Sequence, residues 1–251
     1  MAPGAGASRS EVNPVDIRYS LSPDSDPGTE MVLLQGRGCF WKKCSFCDYY
    51  FDSACDEQSV PLNESVLAHV TGETGRLTVI NSGSWFELPE QTRELILRIC
   101  REKEISELST ETHWAYAQRT RKLREELAAA GIRLSARIGI ETFNADYRED
   151  VMIKGIGKDV TPEQIAEIYD ECCLLYGMEG QTEKQLRSDI ETALQLFRRV
   201  YLTLYMGGGG RYPEDTQLTK DFRKRLVPEF RDTDKYPGLV VLADNTDLDV
   251  G

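Results

Sequence analysis

Three cysteines stand close together in one short segment of the chain. Cys39, Cys44 and Cys47 form a C-x4-C-x2-C pattern inside a turn-rich stretch. Thiolates are soft ligands that suit zinc and iron–sulfur clusters. A structural zinc ion takes four ligands, and Cys55 could be the fourth. Three thiolates would instead leave one iron of a 4Fe–4S cluster open to a bound molecule, so the spacing predicts a metal centre, with a cluster favoured and zinc as the alternative.

Cysteine usage and charge narrow the class of protein. The seven cysteines are an odd number, and the start of the chain lacks the basic-then-apolar pattern of a secretory signal, which argues against a disulfide framework. No apolar run approaches the roughly 20 residues that span a bilayer, so we expect a cytoplasmic protein without a membrane partner. The net charge of −12 opposes binding to phosphate backbones and makes nucleic acid a poor candidate partner.

The segments that must position the cysteines alternate between strand and helix patterns. We expect residues 1–28 to form a flexible leader and N-terminal extension, and residues 29–251 to form one domain with a short C-terminal extension. Predicted strands cover residues 30–35, 76–80, 107–111, 134–140, 172–176 and 200–205. Predicted helices cover residues 62–70, 89–102, 115–130, 161–170 and 182–199.

This alternation predicts an α/β fold with a parallel sheet, in the form of a partial (β/α)6 TIM-like barrel. In such sheets the chemistry collects in the loops that follow the carboxyl ends of the strands. The same rim should therefore carry the cysteine loop and the polar strand ends Ser82–Ser84, Glu111, Glu141 and Gly177.

The cysteine loop resembles that of the radical S-adenosylmethionine (SAM) superfamily. The usual loop of that family is C-x3-C-x2-C with an aromatic residue before the third cysteine, and Phe46 holds this aromatic position. The first spacing here is one residue longer. The resemblance extends from about Met31 to Tyr212 and implies a 4Fe–4S cluster with three cysteine ligands, Cys55 not among them, and an open iron that SAM chelates.

Further motifs of the family occur in its order along the chain. Ser82-Gly-Ser84 stands where the family has its turn after the second strand, and Gly139-Ile-Glu141 resembles the ending of the fourth. Met152-Ile-Lys154-Gly155 resembles a segment whose cation pairs with the SAM carboxylate. The resemblance implies that SAM contacts Phe46, Tyr49, Ser82, Gly83, Ser84, Glu111, Glu141, Lys154 and Gly177.

The resemblance also implies an activity. In the family, one electron from the cluster cleaves SAM to a 5′-deoxyadenosyl radical, which abstracts hydrogen from a substrate; an external donor such as flavodoxin or ferredoxin supplies the electron. The motifs are closest to the clade of the Elongator catalytic subunit and the archaeosine-forming enzymes. Small stand-alone members of this kind include a lyase that cuts a C–N bond in a free 7-deazaguanine base during queuosine salvage, which is our specific expectation.

Other functions stay open at this point. The chain could catalyse another radical SAM reaction on a small metabolite, a peptide or a tRNA base, or it could be a zinc-binding interaction domain without catalysis. For the substrate, the predicted rim offers aromatic residues beside acids, which could stack on a flat base and accept its N–H groups. We expect substrate contacts from Trp85, Glu87 and His113, and the sequence assigns no catalytic residue.

Overall fold

The computed structural model describes residues 18–25, 28–207 and 212–243, so residues 1–17 of the expected leader lie outside the described residues. The described residues form an eight-stranded sheet whose strands follow one another in chain order. β1 pairs antiparallel with β2, and the pairs from β2 to β8 are parallel. The strands are β1 (Tyr19–Ser22), β2 (Thr29–Leu34), β3 (Arg76–Asn81), β4 (Glu107–Glu111), β5 (Arg133–Glu141), β6 (Glu171–Tyr176), β7 (Arg199–Leu204) and β8 (Leu239–Leu242).

Helices connect the parallel strands, as crossover connections require. They are α1 (Asp56–Leu67), α2 (Glu90–Glu102), α3 (Ala117–Ala129), α4 (Pro162–Ala166), α5 (Glu183–Leu196), α6 (Thr216–Asp221) and α7 (Val227–Phe230). Short 3-10 turns cover Tyr49–Phe51, Trp85–Glu87 and Trp114–Tyr116, and π turns cover Tyr147–Val151 and Phe222–Leu226. The expected α/β partial barrel with a parallel sheet is therefore confirmed. Within the described residues, no helix combines the length and apolar character needed to cross a membrane.

Three features differ from the sequence-based expectation. The sheet begins at Tyr19, inside the range assigned to the leader, because β1 pairs with β2. The helix expected over residues 161–170 is α4, which has only five residues and leads within a few residues into β6. The segment after Tyr212, which reads as a polar tail, contains α6 and α7, and it buries Phe222 and Phe230 in the core.

The two faces of the strands have different character. Leu77 and Val79 on β3 and Leu108 on β4 are buried in the hydrophobic core, together with apolar residues of the crossover helices. Thr78 and Ser109, which alternate with them, are equally buried but polar. Since successive side chains of a strand point to opposite faces, the helices cover an apolar outer face and the barrel encloses a polar inner face.

The amino ends of the strands meet at a buried carboxylate. Glu171, the first residue of β6, is fully buried and accepts hydrogen bonds from Arg76, Arg137, Ser135 and Arg199. Arg76 begins β3, which is not a neighbour of β6 in the sheet, so this contact crosses the interior and shows how far the sheet curls. The charged cluster around Glu171, called the floor network below, closes the amino end of the barrel and leaves the carboxyl end for the cysteine loop.

Candidate functional site

The cysteine loop follows β2 and is fixed on one side to the turn after β3. The backbone N–H of Cys39 donates to the carbonyl of Ser82 at 2.9 Å. The next N–H, of Phe40, donates to the carboxylate of Glu87 at 2.8 Å, and the same carboxylate accepts from the N–H of Ser84 at 2.6 Å. Glu87 therefore joins the cysteine loop to the Ser82–Ser84 turn through backbone groups alone.

On its other side the loop is fixed to the segment after β5. The backbone N–H and the hydroxyl of Ser45 donate to the carbonyls of Met152 and Val151, at 3.0 and 2.8 Å. The indole N–H of Trp41 donates to the carbonyl of Ile153 at 2.7 Å. These contacts hold the residues between the cysteines over the carboxyl end of the barrel, where the fold class predicts the site.

The environment of the three cysteines suits a cluster. Cys44 is buried and Cys47 partly so, and burial raises the pKa of Cys47 to about 11, with the charge of nearby Cys44 contributing. Among the described residues no three His, Cys, Asp or Glu side chains lie close enough to hold one metal ion. A 4Fe–4S cluster spreads its thiolate ligands around four iron atoms, so three thiols on one loop fit a cluster better than a lone zinc ion. Cys55 is exposed and precedes α1 as its N-cap.

A buried ion pair lies beside the cysteines. The ammonium of Lys154 is 2.7 Å from the carboxylate of Glu141, and both side chains are at most 12 % exposed. Burial alone would lower the pKa of Lys154, but the charges of Glu141 and Cys44 outweigh it and hold that pKa above its usual range. Lys154 therefore stays positively charged next to the thiol groups, where it can pair with a negatively charged group of a ligand.

Unusual backbone geometry positions this ion pair. Glu141 and Ile153 both have positive φ angles, 70° and 54°, which are rare for residues with side chains and mark sites held by their surroundings. The register of β5 against β6 shifts between Gly139 and Glu141, which turns the Glu141 side chain toward Lys154. A Cβ added at Gly139 would meet the Glu141 carboxylate at 2.5 Å and the Lys154 ammonium at 2.9 Å, so only glycine fits there.

Phe46 and Gly177 come together through a small hydrophobic cluster at the rim. The ring of Phe46 packs against buried Met152, Met178 and Tyr205, and the ammonium of Lys154 is 5.3 Å from its centroid. Gly177, which precedes Met178, has a φ of 117° and lies against α6, where an added Cβ would meet a methyl group at 2.8 Å. These contacts bring the end of β6 to the cysteine loop and show why residue 177 is glycine.

Trp85 and Glu87 have roles other than the expected contact with substrate. Trp85 is 2 % exposed and belongs to the hydrophobic core, so its ring is not available for stacking on a ligand. The carboxylate of Glu87 already has three hydrogen-bond partners, two backbone N–H groups and the hydroxyl of Tyr116. We therefore reassign Trp85 to the core and Glu87 to the support of the cysteine loop.

His113 is likewise occupied by the protein itself. Its Nδ1 accepts from the N–H of Ala115 at 3.1 Å, and its Nε2 lies 2.9 Å from the carbonyl oxygen of Lys154. Its ring stacks on Trp41. Burial and the charge of Lys154 lower the pKa of His113 to about 4, so the ring is neutral near pH 7. The expected substrate contact is therefore replaced by a supporting role under the segment that carries Lys154.

Ser84 also has a structural partner, since its hydroxyl accepts from the backbone N–H of His113 at 2.9 Å. Gly83 stands between the cysteine loop and Glu87, where an added Cβ would meet the carboxylate at 2.1 Å and the N–H of Cys39 at 3.1 Å. Ser82 is buried, and its carbonyl accepts the hydrogen bond from the N–H of Cys39. The turn therefore adjoins the first cysteine, as the sequence motif implies.

Glu111 and Tyr49 are the remaining residues expected to contact SAM. Glu111 ends β4, and one of its oxygens is 3.4 Å from the guanidinium of Arg137 on β5. Burial, with the charges of Cys47 and Glu111 contributing, raises the pKa of Tyr49 to about 12, while the residue keeps 43% of its surface exposed. The interior of the barrel is thus bounded by the cysteine loop above and the floor network below.

Several residues of the site carry no motif in the sequence. Ser45 and Trp41 stabilise the cysteine loop through carbonyls more than 100 positions away in the chain. Arg137 joins Glu111 to the floor network, and only its place between Ser135 and Gly139 on one strand face could have indicated this. Local spacing does not reveal such contacts because they form between distant segments of the chain.

Comparisons with known proteins bear on this site. No protein-family model matches the chain, and no curated protein sequence matches it either. Among solved structures, it is similar to queuine lyase from Clostridium spiroforme bound to SAM and queuine, with 37% sequence identity, a TM-score of 0.84, and coverage of 93% of this chain and 98% of that one. SuiB from Streptococcus suis bound to S-adenosylmethionine matches with 16% identity and a TM-score of 0.54, over 84% of this chain and 49% of that one, which shows the fold alone.

Proposed function

Because the chain belongs to the family of radical SAM enzymes that contains queuine lyase, we propose that it is itself a queuine lyase, which cuts a C–N bond in a free 7-deazaguanine base. The similarity in sequence and fold over nearly the full length of both chains carries this proposal. The expectation of a radical SAM enzyme, implied by the resemblance of the cysteine loop and strand-end motifs to that family, is confirmed by this membership. The substrate is a small molecule, and its identity as queuine is the proposal tested below.

The cofactors of the enzyme are a 4Fe–4S cluster and SAM. When bound, they supply an electron and a 5′-deoxyadenosyl radical that abstracts hydrogen from the substrate. We assign the cluster ligands to Cys39, Cys44 and Cys47, which share one anchored loop. The exposed Cys55 at the start of α1 is not assigned as a ligand.

The residues around the cysteines support a SAM site between the cysteine loop and the strand ends. The buried ammonium of Lys154 can pair with the SAM carboxylate while Glu141 keeps it in position and remains available to a ribose hydroxyl. Phe46 and Tyr49 offer aromatic surface beside the third cysteine. Backbone groups of Ser82, Gly83 and Gly177 line the adjoining strand ends, so this chain contributes mainly orientation and exclusion of water.

An external reductant is part of the proposal. The loop that carries the cysteines exposes Phe40, Lys42 and Lys43 to solvent. A small acidic electron carrier such as flavodoxin or ferredoxin could dock there. We also propose the cytoplasm as the compartment, since cytoplasmic thiols are kept reduced and cluster ligands must be reduced thiols.

Product analysis tests the proposed function. Anaerobically reconstituted enzyme with SAM, dithionite and queuine should release 5′-deoxyadenosine and a truncated 7-deazaguanine base, both detectable by mass spectrometry. Cys44→Ala should abolish both products and lose iron, whereas Cys55→Ala, the matched control, should keep both. Cleavage of queuosine in tRNA without any turnover of the free base would contradict the proposal and indicate a tRNA-modifying enzyme.

A further inference from the structure

The inner face of the barrel carries an acid that the floor network holds in place. Arg137 donates to Glu171 through Nε and Nη2, at 3.2 and 3.0 Å, and its remaining Nη1 is 3.4 Å from Oε1 of Glu111. The guanidinium stacks 3.7 Å from the ring centroid of Tyr201. With its planar group fixed on three sides, Arg137 presents a constant positive charge to Glu111.

Glu111 keeps capacity to accept further hydrogen bonds. Its side chain is 31% exposed, whereas that of Arg137 is 7% exposed. The long contact to Arg137 and a 4.0 Å contact from the thiol of Cys173 both involve Oε1. Across the described residues no hydrogen bond reaches Oε2, so this oxygen is available to accept one from a ligand.

The Glu111 carboxylate lies near the proposed SAM site. Gly139 follows Arg137 by two positions on the same strand face, and it pairs in register with Cys173. A side chain at position 139 would collide with the Glu141 carboxylate and the Lys154 ammonium, so this ion pair lies against the strand face two residues beyond Arg137. Two strand residues span about 6.6 Å, so a ligand at Glu111 would lie next to a cofactor at Lys154.

From this geometry we propose that Glu111 is the specificity-determining residue for the substrate, accepting paired N–H groups from the amidine edge of a flat, guanine-like heterocycle. The inference rests on the proposed function and adds the recognition chemistry to it. A carboxylate accepts two parallel N–H donors in the way that Glu and Asp accept from base edges. Bases that lack the exocyclic amino group lose one of these bonds and leave the carboxylate partly unsatisfied in the complex.

The inference differs from the role that the family resemblance implies for Glu111. A SAM contact would place this acid at the cysteine loop, but its ionic partner is Arg137, which belongs to the floor network at the amino end of the barrel. The acid that pairs with the cation beside the cysteines is Glu141. The two ion pairs thus separate a cofactor position, at Glu141 and Lys154, from a substrate position, at Glu111 and Arg137.

Comparing the affinities of two bases for the wild-type enzyme and for Glu111 variants tests the inference. We expect SAM-loaded wild-type enzyme to bind 7-deazaguanine roughly tenfold to a hundredfold more tightly than 7-deazahypoxanthine, which lacks the exocyclic amino group. Glu111→Gln should bind the two bases within about threefold of each other, and Glu111→Asp should keep part of the preference. Titration calorimetry measures both affinities, and Glu191→Gln on α5, an exposed acid, is the matched control.

The outcomes separate this inference from the proposed function. If Glu111→Gln keeps the wild-type preference, or if it weakens SAM binding as much as base binding, Glu111 does not read the base and the inference is overturned. If wild-type enzyme binds neither base, the proposed function fails together with the inference. Measuring iron content and SAM affinity of each variant ensures that a misfolded protein is not counted as a change in specificity.

Discussion

At the scale of single residues, Glu87 shows how one carboxylate can organise the site without touching a ligand. Its two oxygens accept from the N–H of Phe40 in the cysteine loop and from the N–H of Ser84 in the turn after β3. Burial raises the pKa of this carboxyl, while the two N–H bonds act in the opposite direction. The side chain therefore couples the position of Cys39 to the position of the turn.

We predict that Glu87→Gln weakens both cluster retention and SAM binding. Glutamine has one acceptor oxygen, and its NH2 group would oppose one of the two N–H donors that Glu87 now satisfies. Losing a charge-assisted bond of about 1.5–3 kcal/mol should raise the dissociation constant for SAM about tenfold or more. Iron analysis after anaerobic reconstitution and paramagnetic resonance of the reduced cluster, with and without SAM, measure the change.

The matched control for this prediction is Glu90→Gln, an exposed acid in the first turn of α2. It should keep wild-type iron content and SAM affinity. A purely structural role of Glu87 would lower the melting temperature but leave the resonance spectrum of the remaining cluster unchanged. Wild-type iron content together with a wild-type spectrum in Glu87→Gln would refute the positioning role.

At the scale of elements, the amino ends of the strands are joined by charge and not by apolar packing. Glu171 at the start of β6 is fully buried among arginines from β3, β5 and β7. Burial by itself would raise the pKa of Glu171, but the charges of Arg137 and Arg76 outweigh burial and lower it. This one carboxylate binds arginines from strands that are not all neighbours in the sheet, and these contacts stabilise the curled form of the sheet.

We predict that Glu171→Gln destabilises the fold at neutral pH by about 3 kcal/mol or more, because it leaves buried arginines without their counter-ion. The lowered pKa means that the stabilisation by Glu171 is complete above its ordinary pKa of 4.5 and is lost as pH falls through the lower folded value. The difference in free energy of unfolding between wild type and variant should therefore shrink below about pH 4.5. Urea unfolding of both proteins at pH 7 and pH 4 measures it.

Glu126→Gln on α3 provides the comparison, since this acid pairs with Lys122 at 61% exposure. Glu126→Gln should change the free energy of unfolding by no more than about 0.5 kcal/mol at either pH, as is usual for exposed ion pairs. An equally small effect of Glu171→Gln at pH 7 would show that the floor network contributes nothing to the stability of the barrel.

At the scale of the whole molecule, the charge distribution is uneven. The chain carries a net charge of −12, yet the loop between the first two cysteines exposes Lys42 and Lys43 beside Phe40, which is 46% exposed. An acidic electron carrier is repelled by the molecule as a whole and attracted at this place. Such local complementarity orients the encounter and sets its dependence on salt.

We predict that the double variant Lys42→Glu/Lys43→Glu is reduced more slowly by flavodoxin, about tenfold at low salt, because the local attraction becomes repulsion. The informative quantity is the ratio of flavodoxin-driven to dithionite-driven formation of 5′-deoxyadenosine, which cancels any change in cluster content. The exposed pair Lys103→Glu/Lys122→Glu changes the net charge equally and should keep the wild-type ratio. Equal ratios in both double variants would exclude this loop as the docking surface.

The sequence by itself determined the class of chemistry and the α/β fold class of this protein. The spacing of Cys39, Cys44 and Cys47 indicates a three-thiolate centre because loop ligands are close in the chain as well as in space. Alternating strand and helix patterns predict the parallel sheet because the hydrophobic periodicity of a segment depends only on residues that are near one another in the chain. The aromatic residue before the third cysteine belongs to the same local kind of information.

Only the tertiary structure decided what the remaining side chains do. Trp85 and Glu87 read as substrate contacts in the sequence, yet packing places the ring in the core and joins the carboxylate to an N–H 47 positions earlier. Glu111 acquires its role from Arg137, its register partner on β5, which in turn binds Glu171 on β6, and this strand pairing joins segments that are distant in the chain. A side chain's role depends on the partners that long-range folding brings to it, and local spacing does not specify those partners.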